Sequence, residues 1–379
     1  MTRRGAQEGS IYRRADGLWV GAVHLGYRDG KRRRKAVYGK TRREVQEQVT
    51  VTLRAVQQGL PVPTERQTVD QYLSAWLVTA RTALRPRTHE SYADTVRLHI
   101  IPTLGGEQLA KLSPGQVQAL LDAKLAGGLS PRTVQYIHAI LRRALGQAYR
   151  WGIVPRNVAS VVTPPRVPRV EVRPFDPDQA RAFLSAMRGD RLEALYTVAI
   201  AVGLRQGEAL GLRWRDVDLE AGSLRVCHSL QRIEGKLQLV EPKTARSRRT
   251  VSLPGVVVTA LREHRVRQLQ EHLLAGSRWQ VSDQVFTSTI GTPLDGVTVT
   301  HRFQDTLRRL GMPHQRFHDL RHACASLLLA QGVSPRVVME TLGHSQISVT
   351  MNVYSHVIPA LQRDAADRMD ALLSSSGRV

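Results

Sequence analysis

Four short stretches in the second half of the chain carry polar residues where packing alone would not require them. They are "GLRQGEALGLRWRDVD", "EPKTARSRRTVSLP", "FHDLRHACASLLLAQG" and "TLGHSQISVTMNVYSHV". The last stretch places Tyr354 after a broken, polar run, whereas a core tyrosine normally sits on a regular apolar stripe. These stretches hold the candidates for chemistry, and each also has a plainer structural interpretation.

The first stretch pairs an arginine with a glutamate at a helix junction. Arg205 follows an apolar helix that we predict to end at Gly203, and Glu208 comes three residues later. Glu208 is therefore placed to orient the guanidinium of Arg205. A purely structural arginine–glutamate pair, which is common in proteins, fits the same pattern.

The second and third stretches add a lysine, a histidine and another arginine. Lys243 is predicted to lie at the end of a strand, in a turn rich in arginine (246 to 249), where a lysine is most often a solvated surface residue. His318 and Arg321 are spaced i, i+3, so they share one face of a helix whose other face is apolar. That pair is harder to explain by packing.

The fourth stretch is predicted to begin as a helix, residues 335 to 342, that ends at Gly343 and presents His344. Tyr354 follows ten residues later. A tyrosine hydroxyl has a pKa near 10, so only about one phenol in a thousand is ionised at neutral pH. Such a nucleophile needs a nearby base and a cationic site to activate it.

Together these side chains suit attack on a phosphodiester. Two arginines can bind both non-bridging oxygens of one phosphate in a bidentate manner and neutralise charge as it develops. His318 is placed to accept the phenol proton, Lys243 to protonate the leaving 5′ oxygen, and His344 to donate a hydrogen bond to the phosphate. Because no acidic cluster suited to magnesium stands beside these residues, we expect no metal and no cofactor.

The composition indicates a polyanionic partner. Lys and Arg number 55 and Asp and Glu 32, which gives a net charge of +23 and a pI near 11.1. Double-stranded DNA is the leading candidate. A membrane surface is the other polyanion, but there is neither an apolar run of about 18 residues nor a basic-then-apolar leader, so we expect a cytoplasmic protein. Cys227 and Cys324 lie far apart and are predicted to be small buried residues.

The elements that must position these residues fall into three predicted domains. Residues 1–62 are predicted to form a three-stranded sheet backed by one helix, with a capping box at Thr41 and Glu44. The second arm of the hairpin, "KRRRKAVYG", carries five consecutive basic residues. A charge run is most often a solvated face, but this one alternates on a strand, so we predict a DNA-binding sheet. The candidate contacts are Arg13, Arg14, Arg28, Arg32, Arg33, Arg34 and Lys35.

Residues 63–162 are predicted to be a helical DNA-binding domain. Thr68, Ser113 and Ser130 are candidate helix N-caps, two of them followed by proline. The longest helix has an apolar face and carries basic residues elsewhere. Many helical bundles share this pattern, so the pattern alone does not identify a DNA-binding domain. The candidate DNA contacts are Arg132, Arg142 and Arg143.

Residues 163–175 contain four prolines and are predicted to be an extended linker. Asp176-Pro177 opens the first helix of the third domain, residues 176–379. That domain is predicted to be mostly helical, with a small antiparallel sheet between residues 223 and 253. The chain is thus predicted to be an α+β multidomain protein.

The four polar stretches resemble, in type, order and spacing, those of the tyrosine recombinase (phage integrase) family. The helical segment is similar to that family's core-type DNA-binding domain. The basic sheet resembles the arm-type DNA-binding domain of integrases from phages and integrative elements. The likeness spans nearly the whole chain and is most specific in the third domain.

This resemblance implies that Arg205, Lys243, His318, Arg321 and His344 activate the phosphate, that Glu208 supports Arg205, and that Tyr354 is the nucleophile. The family cuts one strand to leave a 3′-phosphotyrosine and a free 5′ hydroxyl, without ATP or a metal. Four protomers act on two duplexes through a Holliday junction, and excision or host bending factors are possible further partners.

The tail after Tyr354 commonly packs on a neighbouring protomer in this family. The apolar residues of the tail suit that role, although they could equally complete the protomer's own core. They are Ile358, Leu361, Met369, Leu372 and Leu373.

Three other functions remain as alternatives to an integrase. A DNA-binding accessory protein that had lost its chemistry would not need the complete set of polar residues. A relaxing enzyme of the topoisomerase type, or a resolvase that separates replicated chromosomes, would not need the basic N-terminal domain. An integrase is therefore the favoured interpretation.

Overall fold

The computed structural model describes residues 10–28, 31–57, 67–168, 173–241 and 248–343, together with 366, 367, 369, 370 and 373. Residues 25–28, 31–33, 51 and 54–57 are described by their backbone alone. The chain divides into two compact units, 1–169 and 170–379. The architecture is α+β, as predicted, and no helix among the described residues is long and apolar enough to span a bilayer.

A three-stranded antiparallel sheet and one helix open the first unit, as the alternating sequence predicts. The elements are β1 (Ser10–Arg13), β2 (Trp19–Arg28), β3 (Lys31–Gly39) and α1 (Arg42–Gln57), with sheet order β1-β2-β3. Valines from β2, β3 and α1 form a small core. Gly21 lets α1 approach the sheet, because a Cβ there would lie 2.4 Å from Val49 and 2.8 Å from Val45. Thr41 caps α1 by accepting from the Glu44 amide at 3.3 Å.

Helices make up the rest of the first unit. They are α2 (Val69–Ala80), α3 (Pro86–Thr95), a π turn (Val96–Ile100), α4 (Ile101–Leu104), α5 (Pro114–Ala126) and α6 (Pro131–Arg150). The predicted N-caps are confirmed: Thr68, Ser113 and Ser130 each accept a hydrogen bond from the amide three residues later. One face of α6 is buried, while its arginines stay exposed.

The second unit is mostly helical, as predicted. Its helices are α7 (Pro177–Ala186), α8 (Glu193–Ala201), α9 (Gln206–Leu210), α10 (Gly255–Ala275), α11 (Gly296–Arg309), α12 (Asp319–Ala330) and α13 (Pro335–Leu342). Its strands are β4 (Val217–Asp218), β5 (Ser223–Val226), β6 (Ser229–Ile233), β7 (Lys236–Val240) and β8 (Arg249–Ser252). Asp176 caps α7 through the Gln179 amide at 2.8 Å.

The strands form two small sheets, and this differs from the single sheet expected from the sequence. The chain leaves the strand conformation at Cys227 and His228, so β5 pairs with β4 and β8, while β6 pairs with β7 among the described strands. The β6–β7 turn is Glu234-Gly235, both at positive φ, which suits a tight hairpin. Cys227 is only half-buried, contrary to the prediction, whereas Cys324 is buried.

The core of the second unit surrounds α8, every residue of which is buried from Ala194 to Ile200. Tyr196 on α8 meets Phe183 and Phe303 at ring-centroid distances of 5.3 and 5.7 Å. The helix ends at Ala201, and Gly203, at φ +69°, turns the chain sharply beneath α12 and α13. A Cβ on Gly203 would lie 2.3 Å from Leu342 and 3.0 Å from the Cys324 sulfur.

Replacing Gly203 with alanine should therefore destabilise the second unit. The left-handed backbone and the overpacked site together predict a loss of about 2–4 kcal/mol in the free energy of unfolding. Gly255→Ala is the matched control, because no atom lies within 4 Å of a Cβ at that helix-opening position. Urea unfolding should show the control at wild-type stability or slightly above it. Wild-type stability of Gly203→Ala would contradict this packing.

Candidate active site

Arg205 lies at the N-terminus of α9, directly after the turn at Gly203. Its guanidinium donates to the Glu208 carboxylate, with Nη1 to Oε1 at 2.6 Å, and its backbone amide donates to Oε2 at 3.1 Å. Glu208 is 6% exposed, but the Arg205 side chain is 39% exposed. Glu208 therefore holds an arginine whose outer face remains open to solvent.

Gln206 anchors this junction to a distant helix. Its side-chain amide donates to the Gly296 carbonyl and to the Thr300 hydroxyl, both at 2.9 Å. The start of α9 is thus fixed to the start of α11, which limits the positions that Arg205 can take.

Arg249, the first residue of β8, is the functional candidate that sequence reasoning missed. It shares Glu208 with Arg205 by donating from Nη2 to Oε2 at 3.1 Å. Its side chain is 7% exposed. The signal was the alternation of β8, where Arg249 and Val251 face inward while Thr250 and Ser252 are exposed.

Arg321 lies in the first turn of α12 and is nearly fully buried. It donates from Nη1 to the Gly203 carbonyl at 2.7 Å and from Nη2 to the Leu342 carbonyl at 2.6 Å. Burial, reinforced by the positive charge of Arg205, lowers the pKa of Arg321 to about 9, so it stays charged at neutral pH. At 2% exposure, Arg321 is far less accessible than Arg205.

These three arginines meet at one helix end. Arg249 donates from Nε to the Thr341 carbonyl at 2.7 Å, Arg321 donates to the Leu342 carbonyl, and Arg205 donates from Nη2 to the Gly343 carbonyl at 3.0 Å. The last carbonyls of a helix have no partner within it and carry partial negative charge. Three successive carbonyls therefore gather guanidiniums from three separate segments.

His318 directly precedes α12 and lies beside Arg321 and His322. Its ring is 5.1 Å from the His322 ring, centroid to centroid. Desolvation by the packed atoms around the ring, together with the positive charge nearby, lowers the pKa of His318 to about 4. Asp319 fixes this turn by accepting from the Arg316 amide at 2.8 Å. A histidine that is neutral at pH 7 can accept a proton.

The remaining predicted site residues, Lys243, His344 and Tyr354, lie outside the described residues. β7 ends at Val240 and β8 begins at Arg249, so Lys243 belongs to the connection between them. Glu241 and Arg248 form an ion pair of 2.7 Å at the two ends of that connection. His344 directly follows Gly343, whose carbonyl Arg205 holds.

The described residues show a cationic centre built from three guanidiniums and one carboxylate, with a neutral histidine beside it. Such a centre can bind an anion whose negative charge is delocalised over two oxygens, such as a phosphodiester. Among the residues that the structure describes, no group of three His, Cys, Asp or Glu side chains is arranged to hold a metal ion.

Family models match both units. The phage integrase family matches residues 173–360, and the N-terminal SAM-like domain of phage integrases matches residues 68–125. A tyrosine recombinase XerC-like protein of Caldanaerobacter subterraneus is 32% identical over 364 residues, which cover 91% of this chain and 93% of that protein. The chain belongs to the tyrosine recombinase family. It is accordingly a DNA strand-transfer enzyme of the site-specific type.

Solved structures of this family share the fold. The Tn1549 transposon integrase in complex with a circular intermediate DNA superposes with a TM-score of 0.65 at 21% identity, covering 80% of this chain and 99% of that one. A lambda integrase tetramer bound to a Holliday junction gives a TM-score of 0.58 at 18% identity, covering 93% of this chain and 96% of that one. The recombinase fold thus extends over most of the chain.

Replacing Glu208 with glutamine should destabilise the recombinase in a pH-dependent way. Burial alone would raise the pKa of Glu208, but Arg249 and Arg205 outweigh it and hold that pKa below its usual value. The ionised carboxylate therefore stabilises the fold at neutral pH, and this stabilisation is lost as the pH falls through the lowered pKa. We expect Glu208→Gln to lose about 3 kcal/mol at pH 7 and less at pH 3.5, where the carboxyl group of the unfolded chain is already mostly protonated.

Urea unfolding at the two pH values measures this difference. Glu220→Gln is the control, because Glu220 pairs with Arg262 at 2.9 Å on the exposed surface and should contribute little. An equal loss for Glu208→Gln at both pH values would show that the charge of the carboxylate is not the cause.

Proposed function

We propose that this recombinase is an integrase that cuts and rejoins DNA through a 3′-phosphotyrosine on Tyr354. In this proposal Arg205, Arg321 and His344 bind the scissile phosphate, His318 accepts the phenol proton, and Lys243 protonates the leaving 5′ oxygen. Glu208 supports Arg205. The convergence of Arg205 and Arg321 on the end of α13, immediately before His344, is the observation that carries the proposal.

Arg205 is the better presented of the two phosphate-binding arginines. A guanidinium has five N–H groups, and the bonds of Arg205 to Glu208 and Gly343 use only two of them. Its partial exposure leaves the outer edge open to a phosphate oxygen. A bidentate contact there would supply the charge stabilisation that phosphoryl transfer needs, since losing one such donor typically costs about a hundred-fold or more in rate.

Arg321 must become more accessible before it can bind the same phosphate. Its terminal nitrogens donate to the carbonyls of Gly203 and Leu342, and it is almost completely buried. We propose that DNA binding draws the scissile phosphate to Arg205 first, and that Arg321 then binds the same phosphate. Even before contact, the positive charge of Arg321 attracts the phosphate, because a partly buried site weakens this attraction less than bulk water does.

His318 is suited to the role of base. Its lowered pKa keeps the imidazole neutral throughout the physiological pH range, so a ring nitrogen is available to the phenol proton. Once protonated, the imidazolium would lie close to Arg321 and His322, which favours prompt release of that proton. This proposal does not require a metal or a cofactor.

The first unit supplies basic surfaces for DNA. In the N-terminal sheet Arg34 pairs across from His24 and is exposed, and the exposed tyrosines Tyr12 and Tyr38 lie on the same face. We propose that this face reads arm-type sites. Arg13 and Lys35 lie on the other side of the sheet, which carries α1, and we assign them and Arg14 to flanking contacts with the same DNA. The structure describes only the backbone of Arg28, Arg32 and Arg33, which we also assign to arm-type DNA.

On α6, Arg132, Arg142 and Arg143 are exposed, and we assign them to core-type DNA. Arg143 is oriented by Tyr92, whose hydroxyl it contacts at 3.1 Å and whose ring it covers at 5.6 Å. An oriented guanidinium loses less conformational entropy when it binds a phosphate. The boundaries 1–62, 63–162, 163–175 and 176–379 remain our proposal for the domains.

We further propose that four protomers act together on two duplexes in the cytoplasm, with excision or host bending factors as partners. The similar lambda integrase forms a tetramer on a Holliday junction. Met369 and Leu373 in the tail are exposed in the single chain. Apolar residues at such positions suit docking on a neighbouring protomer.

The assignment of Tyr354 predicts a covalent adduct. Incubation with a nicked duplex that carries the core site should trap the protein on DNA, and Tyr354→Phe should abolish the adduct while leaving DNA binding intact. Tyr196→Phe is the control: its buried hydroxyl has no hydrogen-bond partner among the described residues, so its loss should leave both properties unchanged. An adduct with Tyr354→Phe would exclude Tyr354 as the nucleophile.

The assignment of the N-terminal sheet predicts a separation of activities. Deleting residues 1–62 should lower integration between attachment-site plasmids by about a hundred-fold or more. The truncated protein would bind only core-type DNA and would lose the avidity that a second, linked binding site supplies. Adduct formation at the nicked core site should persist. If the truncated protein integrates like the full chain, the arm-binding role is wrong and a resolvase becomes the better interpretation.

A further inference from the structure

The C-terminal end of α13 is held by an unusually complete set of hydrogen bonds. The carbonyls of Met339 and Glu340 accept from the Gly343 amide, which closes the helix in a left-handed cap. The next carbonyls, of Thr341, Leu342 and Gly343, accept from Arg249, Arg321 and Arg205. Every carbonyl from residue 339 to 343 thus has a partner at the point where the chain continues to His344 and Tyr354.

Arg249 has a different environment from Arg205. Its side chain is buried between Glu208 and α13, with one nitrogen bonded to each. It also packs on Gly343, where a Cβ would lie 3.0 Å from Nη1 and 3.2 Å from Cζ of Arg249. A side chain enclosed in this way is suited to holding other groups and poorly suited to contacting DNA.

The contacts of Arg249 connect two parts of the proposed active site. On one side, Glu208 is bound jointly by Arg205 and Arg249. On the other side, Arg249 fixes the last turn of α13, from which the segment carrying the proposed nucleophile departs. A shift at this connection would change the position of the end of α13 relative to Arg205.

We propose that Arg249 is a positioning residue for strand cleavage, which links the Arg205–Glu208 pair to the end of α13. It fixes the starting point of the segment from His344 to Tyr354 relative to the two phosphate-binding arginines. The inference rests on the proposed function. It requires a guanidinium at this position, because a single ammonium cannot donate to Thr341 and Glu208 in the same planar geometry.

Arg249→Lys tests this role, with Arg213→Lys as the matched control. Arg213 is also mostly buried and donates to a buried carboxylate, Asp216, at 2.9 Å, but it lies outside the contacts of α13. Both variants keep the charge and weaken one ion pair. Urea unfolding shows how much stability each variant loses, so that the rates of adduct formation can be compared between variants of similar stability.

The first measurement separates binding of DNA from cleavage. We expect Arg249→Lys to bind the core-site duplex within about two-fold of the wild-type affinity, and to form the covalent adduct ten- to a hundred-fold more slowly in a single turnover, since a misplacement of about 1 Å costs on that order. Arg213→Lys should form the adduct at the wild-type rate. Wild-type cleavage by Arg249→Lys, or equal loss in both variants, would overturn the proposal.

The second measurement does not depend on catalysis. Hydrogen exchange of the amides from Glu340 to Gly343, in the DNA-free chain, should be faster in Arg249→Lys than in the wild type and unchanged in Arg213→Lys. Unchanged exchange in Arg249→Lys would overturn the positioning role. Failure of the wild-type chain to form any adduct would instead contradict the proposed function, so the two failures are distinguishable.

Discussion

The proposed active site depends on one buried carboxylate. Glu208 receives hydrogen bonds from the guanidiniums of Arg205 and Arg249 and from the backbone amide of Arg205, and it is almost fully buried. Bringing arginines together costs free energy, because like charges repel and each loses hydration. A shared carboxylate and the partial negative charges at a helix end offset that cost. Without Glu208, the two arginines would repel each other, and α9 would lose this connection to β8.

The same interactions leave the site ready for an anion. Of the described charged groups at this centre, three are guanidiniums and one is a carboxylate, so positive charge remains in excess. A phosphodiester supplies the missing negative charge, and a preorganised site need not reorganise when charge develops during cleavage. Backbone carbonyls already accept from the guanidiniums of Arg205, Arg249 and Arg321 at this centre.

Much of this arrangement could be predicted from local sequence. Capping residues predicted the starts of α2, α5 and α6 and both ends of α13, because those signals act within one turn of helix. The junction of Arg205 and Glu208 followed from its spacing in the same way. The break at Cys227 and His228 was missed, since a continuous β-like run contains no signal that its two halves pair with different partners.

The role of Arg249 could not be predicted, because its partners lie 41 and 92 residues away in the sequence. In the sequence it is one of several arginines in a basic turn, and only the inward face of β8 distinguishes it. The burial of Arg321 escaped prediction for the same reason: its acceptors are backbone carbonyls, which every residue has. Hydrogen bonds to backbone carbonyls place no requirement on the type of the accepting residue, so they can be identified only in a structure.

A structure of the covalent complex on a nicked core-site duplex tests the central claim most directly. The phosphorus joined to the Tyr354 oxygen should have the guanidiniums of Arg205 and Arg321 on its non-bridging oxygens, while Arg249 still spans Glu208 and the Thr341 carbonyl. A phosphate bound to Tyr354 but out of reach of both Arg205 and Arg321 would contradict the account.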